Sequence, residues 1–402
     1  MHSPYMNPRF DGLEGGLFSS VTKADVGEGA ARLMEQGYDL LGWADPFFPD
    51  PSLPASVCKA MADALAEGTP AHYTMPIGSF ALRQAAAEKC RRYNGLALDP
   101  SRNVLITPGS DSGLLFAMLP FLQEGDEVLV PDPSYPSNFL NCRLCGARAV
   151  PVPLSAKDGY QPDAAAFAER VTPRTKMVLL THPNNPTGTV FSRGSLEALC
   201  RVIVEHDLIL VCDQAFEDHI FDGRELVTPA ALPGMWERTV TTFSISKGLG
   251  LSGLRVGYIA ACDRFMDVYY GAAVNVLGAT NTLAQTGALA AMRDASILPA
   301  YHRILDRRRR MAYEAFSAVP GVRMQLPESG ILSWLDVSAL GTDGEVAAYL
   351  LEHARVLVNE GRNYGVQGAG HLRIVHACYK DDEKAASVFA RIADALTRMG
   401  RE

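Results

Sequence analysis

The chain has 402 residues, more than the roughly 250–300 at which a single hydrophobic core stops growing, so a large domain with a smaller companion is expected. Its 48% hydrophobic and 20% charged residues exclude disordered, collagen-like and membrane-embedded classes, and no apolar run reaches the roughly 18 residues of a membrane span. A formal net charge of −8 argues against any general affinity for nucleic acid.

The start, Met1-His2-Ser3-Pro4-Tyr5, has neither a basic n-region nor an apolar h-region, which makes the cytoplasm the expected location. Eight scattered cysteines lack the spacing of a disulfide scaffold and read as reduced thiols. Cys142 and Cys145 form a lone C-x-x-C among Phe139, Leu140 and Leu144, which reads as small core residues on a helix in preference to a zinc or redox site.

Between about residues 100 and 262, short β-branched runs alternate with helical patterns, the signature of βα units on a mostly parallel sheet. The predicted strands are Val104–Ile106, Glu127–Val130, Met177–Leu180, Leu208–Val211, Val240–Phe243 and Val256–Ile259. Leu196, Leu199, Cys200 and Ile203 recur at i, i+3, i+4 and i+7 and predict a helix between two of them. After about residue 290 long helical patterns dominate, and a Glu328-Ser329-Gly330 turn precedes the strand-like Ile331–Leu335. The run Arg307–Arg310 lies in one of these helical patterns and is expected to be a solvated face or a subunit contact. The expected division is a large α/β domain over 49–290 and a small α+β domain over 291–402 joined by the N-terminal segment 1–48.

Ligands of open α/β sheets bind beyond the carboxyl ends of the strands, so polar residues that follow apolar runs form a set. Ile106 leads into Thr107-Pro108-Gly109-Ser110-Asp111-Ser112-Gly113, a small-residue turn whose free amides suit an anion, with Asp111 expected to cap the following helix. Tyr135 follows the run ending at Val130, and Asn185 sits in Thr181-His182-Pro183-Asn184-Asn185-Pro186-Thr187-Gly188. Leu208–Val211 runs into Cys212-Asp213-Gln214-Ala215-Phe216, where a buried aspartate is costly without a partner; a helix N-cap is the plainer reading. Val240–Phe243 runs into Ser244-Ile245-Ser246-Lys247-Gly248, followed by Ser252-Gly253-Leu254-Arg255-Val256-Gly257. A lysine beside a fixed guanidinium has a lowered pKa, and the planar fork of arginine suits a phosphate dianion.

These motifs resemble those of the fold-type I pyridoxal-5'-phosphate (PLP) enzymes of the class I/II aminotransferase family, with its S-x-S/A-K, G-x-R-x-G and N-P-x-N-P-T-G patterns. The resemblance runs from about residue 38 to 395. It implies a mostly parallel seven-stranded sheet flanked by helices, and an enzyme that moves the amino group of an L-α-amino acid to a 2-oxo acid. It also implies Lys247 as the Schiff-base lysine, Asp213 as partner of the pyridine nitrogen and Asn185 as donor to the cofactor's phenolic oxygen. Ser244 and Arg255 would hold the phosphate together with Gly109, Ser110 and Asp111, and Tyr135 would stack on the ring. By the same likeness, Tyr73 in His72-Tyr73-Thr74-Met75-Pro76-Ile77-Gly78 reaches the phosphate of a neighbouring subunit, which makes a homodimer with shared sites the expected assembly. Arg373, in His371-Leu372-Arg373-Ile374, would grip the substrate carboxylate, with Asn185 beside it and Gly42 and Trp43 at the substrate entrance.

One position departs from the pattern. Many relatives carry a tyrosine three residues after the aspartate, donating to the phenolic oxygen, where this chain has Phe216. Losing that donor raises the pKa of the Schiff base without removing the electron sink. Transamination is the leading reading, and α-decarboxylation or β-elimination on the same scaffold stays open. A PLP-sensing DNA-binding regulator is disfavoured because about forty residues ahead of the first match leave no room for a DNA-binding module.

Overall fold

In the computed structural model, which describes residues 7–10 and 28–401, the apolar runs from residue 104 to 260 pair into one central sheet. The expectation placed on Met1–Tyr5 and much of the segment 1–48 lie outside the described residues. The first strand among the described residues, β1 (Asp39–Leu40), is followed by β2 (Val104–Thr107), β3 (Glu127–Asp132), β4 (Arg148–Pro153), β5 (Thr175–Thr181), β6 (Ile209–Asp213), β7 (Thr239–Ser244) and β8 (Gly257–Ala260). The seven strands after β1 pair in the order β2-β8-β7-β6-β5-β3-β4. All are parallel except β8, which runs antiparallel to both of its neighbours. Carboxyl ends of the others therefore share one edge of the sheet.

All six predicted strands are present, and β4 is the one the sequence does not announce. Its Pro151 and Pro153 cannot donate to a ladder, which an edge strand tolerates and an inner strand does not. The helix Arg193–Glu205 starts where the Ser192 hydroxyl accepts the Ser195 N–H, and it buries Leu196, Leu199, Cys200 and Ile203 as their spacing predicts. Cys142 and Cys145 are buried with Leu105, Met118 and Val128 in the core on one face of the sheet.

A second sheet is built by β9 (Arg323–Met324), β10 (Leu332–Asp336), β12 (Asn359–Glu360) and β13 (His371–Val375), in the antiparallel order β12-β13-β10-β9. A short strand, β11 (Val356–Leu357), pairs in parallel with β1. Through it Leu41 joins a core otherwise made by residues such as Phe316, Leu335, Val346, Ile374 and Ile392. Among the described residues, no helix is long and apolar enough to cross a membrane.

The arginine run requires a correction. It lies in the helix Ile297–Ser317, but Arg308 and Arg309 are fully buried, so of the run only the half-exposed Arg307 and Arg310 lie on the expected solvated face. Successive helical residues are turned by about 100°, which carries the middle pair inward. Arg308 donates to Asp382 at 2.8 Å and to the carbonyls of Cys378 and Lys380. Arg309 donates to both carboxylate oxygens of Asp222 at 2.7 Å and to Asp306, and its guanidinium lies 4.3 Å over the Phe221 ring. Both charges are compensated where they are buried.

Candidate active site

At the shared strand edge a cavity of about 450 Å³ is lined by Trp43, Ser110, Asp111, Tyr135, Asn185, Asp213, Phe216, Lys247, Arg255 and Arg373, ten of the residues singled out in the sequence. β6 ends on Asp213 itself, and Lys247 lies three residues beyond the end of β7. Asn185 follows β5, Tyr135 follows β3, and Ser110 opens the helix after β2.

Lys247 is half-buried, and its Nζ donates to the carbonyl oxygen of Ala44 at 2.5 Å. Burial holds its pKa below the ordinary lysine value; Asp111 and Asp45 pull it back up, and Arg373 and Arg255 add to the lowering. Asp213 accepts the Ala215 N–H at 3.1 Å and faces the Thr242 hydroxyl at 3.5 Å. No helix starts at this point, so the capping explanation does not apply. Burial, then the negative charge of Asp111, pushes the Asp213 carboxyl up to about 7.

Arg373 is 3% exposed. It donates to the carbonyl of Gly42 at 2.6 Å and to Asn185 Oδ1 at 3.4 Å, and it lies 5.0 Å over the Tyr364 ring. Its Nε–H is buried without a partner, and among the described residues no carboxylate pairs with it. A buried guanidinium left this way is costly unless an anionic ligand completes it.

Arg255 adopts a left-handed backbone with φ of 52°. Its guanidinium lies so close to Gly109, where φ is 89°, that a Cβ on the glycine would stand 2.5 Å from Nη2. Asp111 does not cap its helix: among the described contacts, its carboxylate accepts the Tyr135 hydroxyl at 2.8 Å and stands 3.6 Å from Arg255. The expected cap fails because these two groups, projecting into the cavity, offer the carboxylate stronger partners than the helix amides do. No side chain caps the head of that helix, which leaves its N–H groups for a ligand.

Three sequence candidates take other positions. Gly42 contributes its carbonyl to Arg373. Ser244 is buried, accepts the Ser246 N–H at 3.1 Å and lines a separate hollow with Lys89 and Asp218. Tyr73 is 97% exposed and does not line the cavity of its own chain. The structure adds Asp45, Ser252, Asn359 and Tyr364 to the lining. Asp45 is two residues from Trp43, a proximity that could have flagged it; Asn359 reaches the site only because β12 pairs it opposite Arg373.

The profile of the family described as aminotransferase class I and II matches residues 40–392. The chain belongs to the class I and II aminotransferases. This aminotransferase is 33% identical to an arginine–pyruvate transaminase of Pseudomonas aeruginosa over 89% of its own length and 93% of the relative's. It is 30% identical to an LL-diaminopimelate aminotransferase of Moorella thermoacetica over 96% and 95% of the two chains. Among solved structures, an aspartate aminotransferase of Thermus thermophilus with maleate superimposes with a TM-score of 0.85 at 30% identity, covering 98% of this chain and 100% of the other. The aminotransferase is an enzyme that moves amino groups between amino acids and 2-oxo acids, and its family uses PLP.

Proposed function

We propose that the cavity binds PLP with Lys247 as its covalent anchor, and takes an L-α-amino acid and a 2-oxo acid in turn. One juxtaposition carries the reading: a half-buried amine, Lys247, and a buried guanidinium without a carboxylate partner among the described residues, Arg373, share one cavity with the buried carboxyl group of Asp213. The residues fit the group. Asp213, costly on its own, would hold the proton of the pyridine nitrogen, and Asn185 would donate to the phenolic oxygen. Arg255, Ser252 and the amides behind Gly109 and Ser110 would take the phosphate, while Ser244 supports the turn through Ser246. Tyr135 would cover one face of the ring, and Phe216 adds an apolar wall.

When bound, the cofactor draws electrons away from the substrate Cα. Arg373 then fixes the α-carboxylate as a bidentate pair, with the Gly42 carbonyl holding the guanidinium from the side. Nζ of Lys247, its pKa lowered by burial, takes the proton from Cα as the general base.

The outward-facing Tyr73 and Met75, 97% and 68% exposed, support a homodimer in which this surface meets a second copy and Tyr73 enters its site. All eight cysteines are unpaired thiols, which supports a cytoplasmic location. The joining of β1 to β11 supports a small domain over 291–402 that takes in the N-terminal segment, beside a large domain over 49–290.

Borohydride treatment of the purified protein tests the anchor: a pyridoxyl mass is expected on the peptide that contains Lys247, and its absence overturns the reading. Single additions of amino acids should bleach the visible band with release of one equivalent of 2-oxo acid. Release of carbon dioxide or ammonia instead would reject transamination.

A further inference from the structure

The named relatives act on arginine, aspartate or diaminopimelate, which differ in side-chain charge, so specificity has to be read from the cavity. Six charged side chains line it: Lys247, Arg255 and Arg373 are cationic, and Asp45, Asp111 and Asp213 are anionic. In the reading above, Lys247 and Asp213 serve the cofactor, Arg255 with Asp111 beside it faces the phosphate, and Arg373 takes the α-carboxylate. Asp45 is left over. It is half-buried, and its carboxylate makes no hydrogen bond or ion pair among the described residues. Its neighbour Ala44 holds Lys247 Nζ, which places Asp45 beside the reacting centre.

Asp45, Ser252 and Gly253 also line an adjoining hollow of about 300 Å³. That hollow contains Asp50 and, among the described residues, no lysine or arginine. Two of the cavity's charged groups are therefore unlike in setting. One is the buried, incompletely bonded guanidinium of Arg373; the other is the Asp45 carboxylate, unpaired among the described residues and shared with an acidic annex.

Resting on the assignment of the cavity to an amino-acid donor, we propose that the donor's side chain runs toward Asp45, and that the enzyme prefers amino acids with a guanidinium or ammonium side chain over dicarboxylic ones. A cationic side chain pairs with Asp45. A second substrate carboxylate meets like charge there, with both cavity arginines already engaged by the phosphate and the α-carboxylate. A partly solvated pair of this kind changes affinity by about tenfold.

The test compares arginine, citrulline, leucine and glutamate as donors to the holoenzyme, read as single-turnover bleaching of the cofactor band. Citrulline keeps the shape of arginine without its charge, so the wild-type protein alone can decide the matter. Arginine is expected to exceed citrulline about tenfold in kcat/KM, and glutamate by more. Asp45→Asn should reduce the arginine-to-leucine ratio about tenfold and raise the glutamate-to-leucine ratio, while Asp45→Glu restores both. Equal rates for arginine and citrulline, or glutamate as the best donor, overturn the proposal. So does an Asp45→Asn effect that falls alike on all four donors and shifts their common pH profile, because that marks an action through Lys247. Failure of the underlying assignment looks different: no donor then bleaches the band at all.

Discussion

The Nζ of Lys247 and the carbonyl oxygen of Ala44 meet at 2.5 Å, so the strand-end lysine touches the segment that follows β1. That segment is itself tied to β11 and to the second sheet: Leu41 N–H donates to the Leu357 carbonyl of β11, and the Leu41 carbonyl accepts from Val375 N–H of β13. Gly42 within it holds Arg373. A stretch of four residues, Leu41 to Ala44, therefore fixes the distance between the amine at the edge of the large sheet and the guanidinium of the small one. Both groups must act on one small substrate, which makes that distance a condition of catalysis.

Replacing Arg373 tests the carboxylate grip. Arg373→Gln removes a charge-assisted pair of about 3 kcal/mol, which predicts a loss of kcat/KM of roughly 100-fold, concentrated in KM for both amino-acid and 2-oxo-acid substrates. Arg373→Lys should recover only part of it, since an ammonium cannot hold the Gly42 carbonyl and bridge a carboxylate in a planar fork. Steady-state kinetics of both half-reactions checks this. An unchanged KM for both substrates would show that Arg373 does not hold the ground-state carboxylate.

Phe216 lines the cavity where a phenol is common in the family. Phe216→Tyr adds a donor to the cofactor's phenolic oxygen and favours its deprotonated form. The pH at which the visible band changes should fall by about one unit. Spectra recorded across pH 5 to 9 for the two holoenzymes read the shift directly, and an unchanged midpoint would show that the added hydroxyl does not reach that oxygen.

What was legible in the sequence depended on range. Lys247, Asp213 and Asn185 follow apolar runs that declare themselves as strands, so a local pattern locates them at one sheet edge. Asn359 and Tyr364 come from a two-residue strand and a turn, and they reach the cavity through pairing with Arg373 and its neighbours, which no local spacing encodes. β4 escaped notice because prolines argue against a strand until its edge position is known. Arg308 and Arg309 were misjudged because four adjacent charges look like a face, and their partners Asp222 and Asp382 are distant in sequence.

Those partners give a contrast in stability. Arg309→Ala removes the buried member of the two cations that Asp222 and Asp306 share, Arg310 being the other, and empties a buried site, a cost of about 3 kcal/mol. Arg307, half exposed and paired with Asp382 at 2.9 Å, should cost under about 1 kcal/mol when changed to alanine. Thermal unfolding of the two variants beside the wild type measures the difference. Equal losses would mean that the inner arginine contributes no more than a surface pair.

Asp213 predicts a pH dependence of folding in protein stripped of cofactor. Its carboxyl titrates at about 7 in the folded chain, raised from the ordinary 3.8 mainly by burial. The folded state thus binds this proton more tightly than the unfolded state does. Its contribution to stability is present below about pH 4, declines as the pH rises toward 7, and is gone above that. The decline amounts to at most about 4 kcal/mol. Asp213→Asn abolishes it, so the variant's melting temperature should gain on the wild type from pH 5 to about pH 7 and then level off. Adding PLP to the wild type should flatten the slope, because a cationic ring nitrogen beside the carboxylate lowers its pKa again. Parallel melting curves for variant and wild type across that range would show that the aspartate is not held protonated by the fold.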